Sequence, residues 1–539
     1  MNPKNIQPVY IMADETQRTT GKNAQKANIL VAKEVANTVK STLGPKGMDK
    51  MIVTPIGDIT VTNDGVTILR EMQIEHPTAK MIIEVAKTQE EVVGDGTTTV
   101  VILAGELLDK AEKLIEKGIH PTTITNGFRL AEQKSQEILN KIAGDININD
   151  DLLLKEVAMT AMIGKGAEGN KEFLSNIIVN AVKKIAEEKA KININNIKII
   201  VKSGEPIQKT ELIDGVVIDK ERCHNGMPEI INNAKVALIS FPLEISKGKL
   251  ADSQLHITNT SILNQLMEEE ERIIREKINK IKESGADVVF CQESIDDEFS
   301  SVLSQEGIMA VKRVKKDDIE KISKATKARI LTNINMFEEK NLGKAGIVTE
   351  KQIGKERMIF VEQCENPKAV TILVRAGTEH IGEEIKRTFM DALGDLASSL
   401  NEGKIVAGAG STEMQLSVKL NEYSEKIEGK EHYAVKAFAE ALESIPYTLS
   451  ENSGLESIEI LTKLRNTHKR GKFQSGIDVF NGKIINAWEK GIKEPLKIKT
   501  QAISSATEVA EMILRIDDII VGKLNKPQQD IQKDMPFGY

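Results

Sequence analysis

Asp95 stands between Gly94 and Gly96, and Thr97, Thr98 and Thr99 follow at once. A carboxylate between two glycines, followed by three hydroxyls, suits a phosphate and a hard cation. The glycines let backbone approach a ligand closely. Beyond them, Val100, Ala104, Leu107, Leu108, Ala111 and Ile115 recur at helical spacing, and Gly118 and Pro121 end the pattern. The threonines therefore open a helix, where free N–H groups and the dipole favour an anion. Asp95 offers an oxygen ligand of the kind Mg²⁺ takes. No Gly-Lys-Ser/Thr follows, so this is not a Walker loop. An Asp-Gly turn into a helix cap uses the same residue types, and the segment alone leaves both readings open.

The neighbourhood adds to the case. Leu43-Gly44-Pro45-Lys46-Gly47 is a second glycine-rich loop, and it closes an alanine- and valine-rich helical pattern from about Asn23 to Ser41. Met51-Ile52-Val53 and Ile59-Thr60-Val61-Thr62 flank a Pro-Ile-Gly-Asp turn and read as a β-hairpin. The hairpin runs into Asn63-Asp64-Gly65, a second acidic turn. Two glycine loops and two turn carboxylates in about fifty residues exceed what turn chemistry needs.

These loops must be positioned by the elements around them. Residues up to about 147 read as helical. Residues 148–217 are mixed, with Lys165 in a Gly-Lys-Gly turn and a strand pattern at Ile197–Val201. From 218 the texture alternates. Val288–Cys291, Met309–Val311 and Arg329–Thr332 are short apolar runs separated by helical patterns at Asp296–Ser304 and Asp317–Thr326. Alternation of that kind implies parallel strands with helical crossovers, hence a separate α/β domain ending near Pro367. Ala369–Gly403 reads as a helical linker, and from Lys404 the chain is mostly helical again. Leu243–Glu270 interrupts the α/β pattern with a polar stretch. A helix then begins near Thr260, with Ile262, Leu263, Leu266 and Met267 as an apolar stripe before Glu268–Glu271. Val9–Met12 and Ile516–Val521 are β-prone runs at opposite ends of the chain.

Composition excludes more than it assigns. A chain of 539 residues suggests three or four domains. With 40% hydrophobic and 28% charged residues it reads as soluble and globular. The net charge of −7 and the lack of a basic, aromatic-laced stripe argue against a nucleic-acid partner. No apolar run reaches the roughly 20 residues of a membrane span. Met1–Asn5 lacks the apolar centre of a signal peptide, so a cytoplasmic location is expected. Cys223, Cys291 and Cys364 are odd in number and far apart, which reads as reduced, isolated thiols rather than a zinc site.

As a set, Leu43–Gly47, Val61–Gly65 and Gly94–Thr98 resemble the nucleotide-binding signatures of chaperonins. Ile163-Gly164-Lys165-Gly166, Cys291-Gln292, Gly307–Val314 and Gly476–Gly482 resemble the group II branch, in its archaeal form, over about residues 8–525. The resemblance implies a multidomain α/β and mostly-α chaperonin fold. Residues 1–147 and 404–539 would form a helical equatorial ATP domain. Residues 148–217 and 368–403 would form a small intermediate hinge domain. Residues 218–367 would form an α/β apical domain with a helical lid protrusion at about 243–270, carrying Ile262, Leu263, Leu266 and Met267.

The implied cofactors are ATP and Mg²⁺, with K⁺ as a candidate companion. Leu43, Gly44, Pro45, Asp95, Gly96, Thr97, Thr98 and Thr99 would hold the nucleotide, with Asp95 on the metal. Gly410, Asp478 and Glu494 would meet the nucleoside side. The family usually has three glycines where this chain has Gly408-Ala409-Gly410, which puts contact at Ala409 in doubt. Asp64 and Asp391 would orient the attacking water, and Lys165 would sense the γ-phosphate. The implied function is ATP-driven encapsulation of non-native polypeptides by self or paralogous subunits in two stacked rings of eight or nine, without a separate lid protein. An ATP-dependent enzyme acting on a small molecule, with the middle block as substrate domain, is the alternative. A scaffold that binds ATP without turning it over is a third reading.

Overall fold

The computed structural model describes residues 17–521, apart from 54–56, 58, 73, 167, 187–190, 245–259 and 366. Of residues 17, 18, 260–268, 270 and 521 it describes the backbone only.

One body joins the two ends of the chain. Its core mixes Ile29 to Leu139 with Val406 to Leu514. Helix Thr97–Glu116 runs through the middle and buries Val100 to Gly105 without a break, then Leu107, Leu108, Ala111 and Leu114. Its first turns are apolar nearly all round, which places them inside the helix layer, and its later turns keep charged residues on an outer face. Gly105 allows close packing, since a Cβ there would lie 2.4 Å from the Ala36 methyl of helix Gly21–Lys40.

The middle body combines residues Ile146–Ile197 with Val370–Ile405. Its sheet has Val370–Ala376 between Ile197–Ser203, parallel, and Glu211–Ile213, antiparallel. The expected helical linker from Ala369 is therefore corrected in its first part. Val370–Ala376 is a strand, and only Glu379–Glu402 is helical. Every residue of that strand is buried, so it reads as a continuous apolar run instead of an alternation.

The third body is a seven-stranded sheet with helices on both faces. Ile230–Ile239 pairs in parallel with Val288–Cys291 and Ile330–Leu331, and Val288–Cys291 with Met309–Val311. Gly343–Ile353, Glu356–Glu362 and Gly215–Ile218 extend it antiparallel. Period-two alternation divides the side chains between two cores. Val236, Leu238, Val288 and Phe290 join Ile319 and Ile322 of helix Lys316–Thr326. Ala237, Ile239, Val289 and Cys291 join Ile274, Ile278 and Phe299 from helices Thr260–Glu283 and Asp297–Gln305.

The middle and third bodies meet at Thr371. Its fully buried hydroxyl accepts from the Val217 N–H at 3.1 Å and donates to the Gly215 carbonyl at 3.1 Å.

The Met51–Thr62 hairpin forms, pairing Lys50–Val53 with Ile59–Thr62. The β-prone run at the chain's end becomes strand Asp518–Val521. Its partner is Gln17–Thr20 of the same chain, which sequence periodicity did not mark. Val9–Met12 lies outside the described residues. So do residues 245–259 and the side chains of Ile262, Leu263, Leu266 and Met267, although the helix that carries the stripe does begin at Thr260. Among the described residues no helix is long and apolar enough to cross a membrane. No disulfide joins Cys223, Cys291 and Cys364, and burial raises each thiol, to about 11, 12 and 12 respectively.

Candidate functional site

Glycine geometry builds the first wall. Helix Pro77–Val93 ends on Gly94, whose φ is +95°, and Gly96 at +82° starts helix Thr97–Glu116. Both lie in the left-handed region that L side chains avoid. Neither position has much room. A Cβ on Gly96 would lie 2.7 Å from Ile498 Cγ2, and one on Gly94 would lie 3.3 Å from the Gly394 Cα. The Gly96 N–H donates to Asp95 Oδ1 at 2.7 Å, and Gln89 Nε2 donates to the Asp95 carbonyl at 2.9 Å. The helix start is thus fixed, with its N–H groups directed outward.

Asp64 caps the next helix, Gly65–Glu71. Its Oδ2 accepts from the Thr67 N–H at 2.9 Å and the Thr67 hydroxyl at 2.6 Å, while Oδ1 accepts from Thr97 Oγ1 at 3.3 Å. The Leu43–Gly47 loop is held by Asn452, whose Nδ2 donates to the carbonyls of Lys40 and Leu43 at 3.0 and 2.9 Å.

The opposite wall comes from the middle body. Gly164, at φ +78°, sits so close that a Cβ would lie 2.8 Å from Pro45 Cα. Asn63 Nδ2 donates to its carbonyl at 3.0 Å. These two contacts set Lys165 against helix Glu379–Glu402, where its Nζ donates to Asp391 Oδ2 at 2.6 Å. Burial opposes the Lys165 charge, but Asp391 and Asp95 outweigh it and hold the ammonium well above the usual lysine range. Burial also pushes Asp391 up to about 7, against the pull of Lys165 and with Asp95 and Asp64 adding to the rise.

Between these walls lies a cavity of about 810 Å³. Leu43, Gly44, Pro45, Asp64, Asp95, Gly96, Thr97, Thr98, Thr99, Lys165, Asp391, Gly410, Asp478 and Glu494 all border it. Ala409 borders it too, in the left-handed region at φ +57°. Its methyl faces Gly476, where an added Cβ would lie 2.8 Å away. Among the described residues no group of three His, Cys, Asp or Glu side chains is arranged to hold a metal alone. Asp95, on the cavity wall with Asp64 and Asp391, offers carboxylate oxygens of the kind Mg²⁺ takes.

Sequence reasoning missed three charged groups. Asp395 borders the cavity one helical turn after Asp391, is only 3% exposed, and is pushed well above the carboxylate range by burial and then by Asp95. Its four-residue offset from Asp391 was the one available signal. Lys499, also on the cavity wall, pairs with Glu494 and with Glu413, the latter at 2.8 Å. Glu413 and Lys499 lie far apart in sequence, so no spacing announces their contact.

The sequence model of the TCP-1/cpn60 chaperonin family matches residues 35–523. The thermosome subunit of Methanopyrus kandleri is 51% identical over 518 residues, 96% of this chain and 95% of that one. The thermosome subunit beta of Archaeoglobus fulgidus is 52% identical over 520 residues, again 96% and 95%. An open-state monomer of a group II chaperonin from Methanococcoides burtonii superposes with a TM-score of 0.60 at 43% identity, covering 79% of this chain and 100% of that one. With half its residues shared along nearly its whole length, this chain belongs to the TCP-1/cpn60 chaperonin family, in its group II archaeal branch.

Proposed function

We propose that this chain is the subunit of an ATP-driven folding chamber that hydrolyses ATP in the cavity described above. The observation that carries the reading is the composition of that cavity. Asp64, Asp95 and the Thr97–Thr99 helix start come from the helical body, whereas Lys165 and Asp391 come from the middle body.

The helix start binds phosphate through its N–H groups. Asp95 would hold Mg²⁺, which would supply charge neutralisation at the phosphates. Asp64 and Asp391 orient the attacking water, and Asp391 accepts its proton. Phosphoryl transfer asks for little more than such positioning and charge neutralisation. Lys165 is paired with Asp391 here, and a γ-phosphate would compete for its ammonium. Nucleotide binding therefore favours one arrangement of the two bodies over another.

On this reading residues 1–147 and 404–539 form the equatorial domain, 148–214 and 368–403 the intermediate domain, and 215–367 the apical domain that receives non-native polypeptides, the boundary expected at 217/218 moving to the start of strand Gly215–Ile218, which pairs in the third body's sheet. Self or paralogous subunits stack in two rings, the segment 243–270 serves as built-in lid, and the assembly works in the cytoplasm. K⁺ is a candidate companion of Mg²⁺.

The test is Lys165→Ala. It should still bind ATP, but an ATP transition-state analogue should no longer protect the apical segment from protease. Unchanged protection would remove Lys165 from the role of sensor.

A further inference from the structure

We propose that Phe480 supplies the aromatic face against which the base of the nucleotide stacks. The inference rests on the nucleotide reading above and adds a base-recognising residue to it. Both carboxylates on that side of the cavity are already engaged. Asp478 Oδ1 accepts from the backbone N–H groups of Phe480 and Asn481 at 3.0 and 3.1 Å, and Oδ2 accepts from Asn481 Nδ2 at 2.8 Å. These bonds, that from the Asn481 side chain first, hold the Asp478 carboxyl below its usual range. Glu494 pairs with Lys499 through Oε2, and its Oε1 abuts Gly408, where an added Cβ would lie 2.6 Å away. Asp478 is thus held by three donors from its own loop, and Glu494 by Lys499.

What remains on this wall is largely apolar. Ile477, Val479, Ile485 and Ile492 border the cavity together with Phe480. Phe480 differs from them in being 58% exposed while sitting on a loop that Asp478 pins. A large aromatic ring left open at the rim of a deep cavity, on backbone that cannot move freely, is preorganised to stack. Lys46 Nζ lies over the ring, 5.7 Å from its centroid, and Lys46 does not itself border the cavity. The cation occupies one face of the ring and leaves the other for a base. Every base has a π-face, and purines present the larger one.

The experiment titrates the intact assembly calorimetrically with Mg²⁺-ATP, Mg²⁺-UTP and Mg²⁺-tripolyphosphate. Phe480→Ala should weaken ATP about ten-fold, the scale of a lost base–aromatic stack. Tripolyphosphate affinity should be unchanged, and Phe480→Trp should keep the preference for ATP. Equal loss for ATP and tripolyphosphate would mean that Phe480 only positions its loop, and would overturn the proposal. So would unchanged ATP affinity in Phe480→Ala. An unaltered chain that binds ATP no better than tripolyphosphate would overturn the stacking proposal alone. An unaltered chain that binds no ATP at all would overturn the nucleotide reading and the stacking proposal together.

Discussion

Asp391 is asked to do two things that conflict. Paired with Lys165 at 2.6 Å it is a structural anion, and facing the cavity it is the proposed base. Its carboxyl is raised to about 7 by burial. Only the ionised form can accept a proton from water, and that form grows as pH passes upward through about 7. Single-turnover hydrolysis should therefore rise with pH across that range. Asp391→Asn should flatten the profile and slow the step by roughly two decades or more while ATP still binds. Near-normal phosphate release from this variant would end the assignment. At this scale the sequence showed most of what it held in glycine–acid turns. Asp64, Asp95 and the threonines announce themselves by type and spacing, and Asp391 and Lys165 needed the family resemblance. Asp395, Glu413 and Lys499 stayed hidden because their significance is burial beside one another, which no linear pattern records.

Among the elements, two small sheets stand out. The hairpin Lys50–Val53/Ile59–Thr62 leaves Met51, Val53, Ile59 and Val61 at least half exposed. The pair Gln17–Thr20/Asp518–Val521 is equally short. Unpaired edges of this kind invite another strand. We expect the hairpin of one subunit to extend the chain-end sheet of its neighbour. Deleting residues 1–20 should then weaken ring assembly more than deleting 1–12, as read by sedimentation, and intact rings after both deletions would count against strand exchange. Thr371 offers a second test. Thr371→Val keeps the shape but removes both hydrogen bonds to the Gly215–Val217 backbone. An unsatisfied buried N–H at Val217 should cost about 1–3 kcal/mol, seen as a lower denaturant midpoint. An unchanged midpoint would mean that water or a shifted backbone replaces the hydroxyl.

The helices of the third body, Asp297–Gln305 and Lys316–Thr326, start or end within a residue or so of their sequence patterns. Their amphipathic periodicity survives because each rests one face on a sheet. Val370–Ala376 was misread because it is buried on both faces and shows no alternation. Gln17–Thr20 was missed because a polar Gln-Arg-Thr-Thr run earns its strand only from its partner.

Viewed whole, the molecule separates its chemistry from its third body. Among the described residues no side chain between Lys165 and Glu383 borders the cavity. Deleting about Lys247–Met267 should leave ATP turnover intact and abolish protease shielding of a trapped polypeptide. An insoluble product would show the stripe to be core, and persistent shielding would show that the lid lies elsewhere. Sixteen or eighteen copies of a 59.5 kDa chain would sediment near one megadalton, which an ordinary small-molecule enzyme would not.

The helical body closes its core with two segments from opposite ends of the chain, and this shapes its birth on the ribosome. Helix Thr97–Glu116 is complete long before its packing partner Leu496–Leu514 has been made. At about 5–20 residues per second, the 380 residues from Glu116 to Leu496 (496 − 116) take roughly 20–75 seconds to translate. Throughout that interval helices Gly21–Lys40, Pro77–Val93 and Pro121–Ile142 are available to pack against it, but the face that Leu496–Leu514 covers stays open. A nascent subunit therefore resembles the kind of chain that the finished assembly is proposed to receive, and its own maturation depends on being held soluble until translation has passed helix Leu496–Leu514.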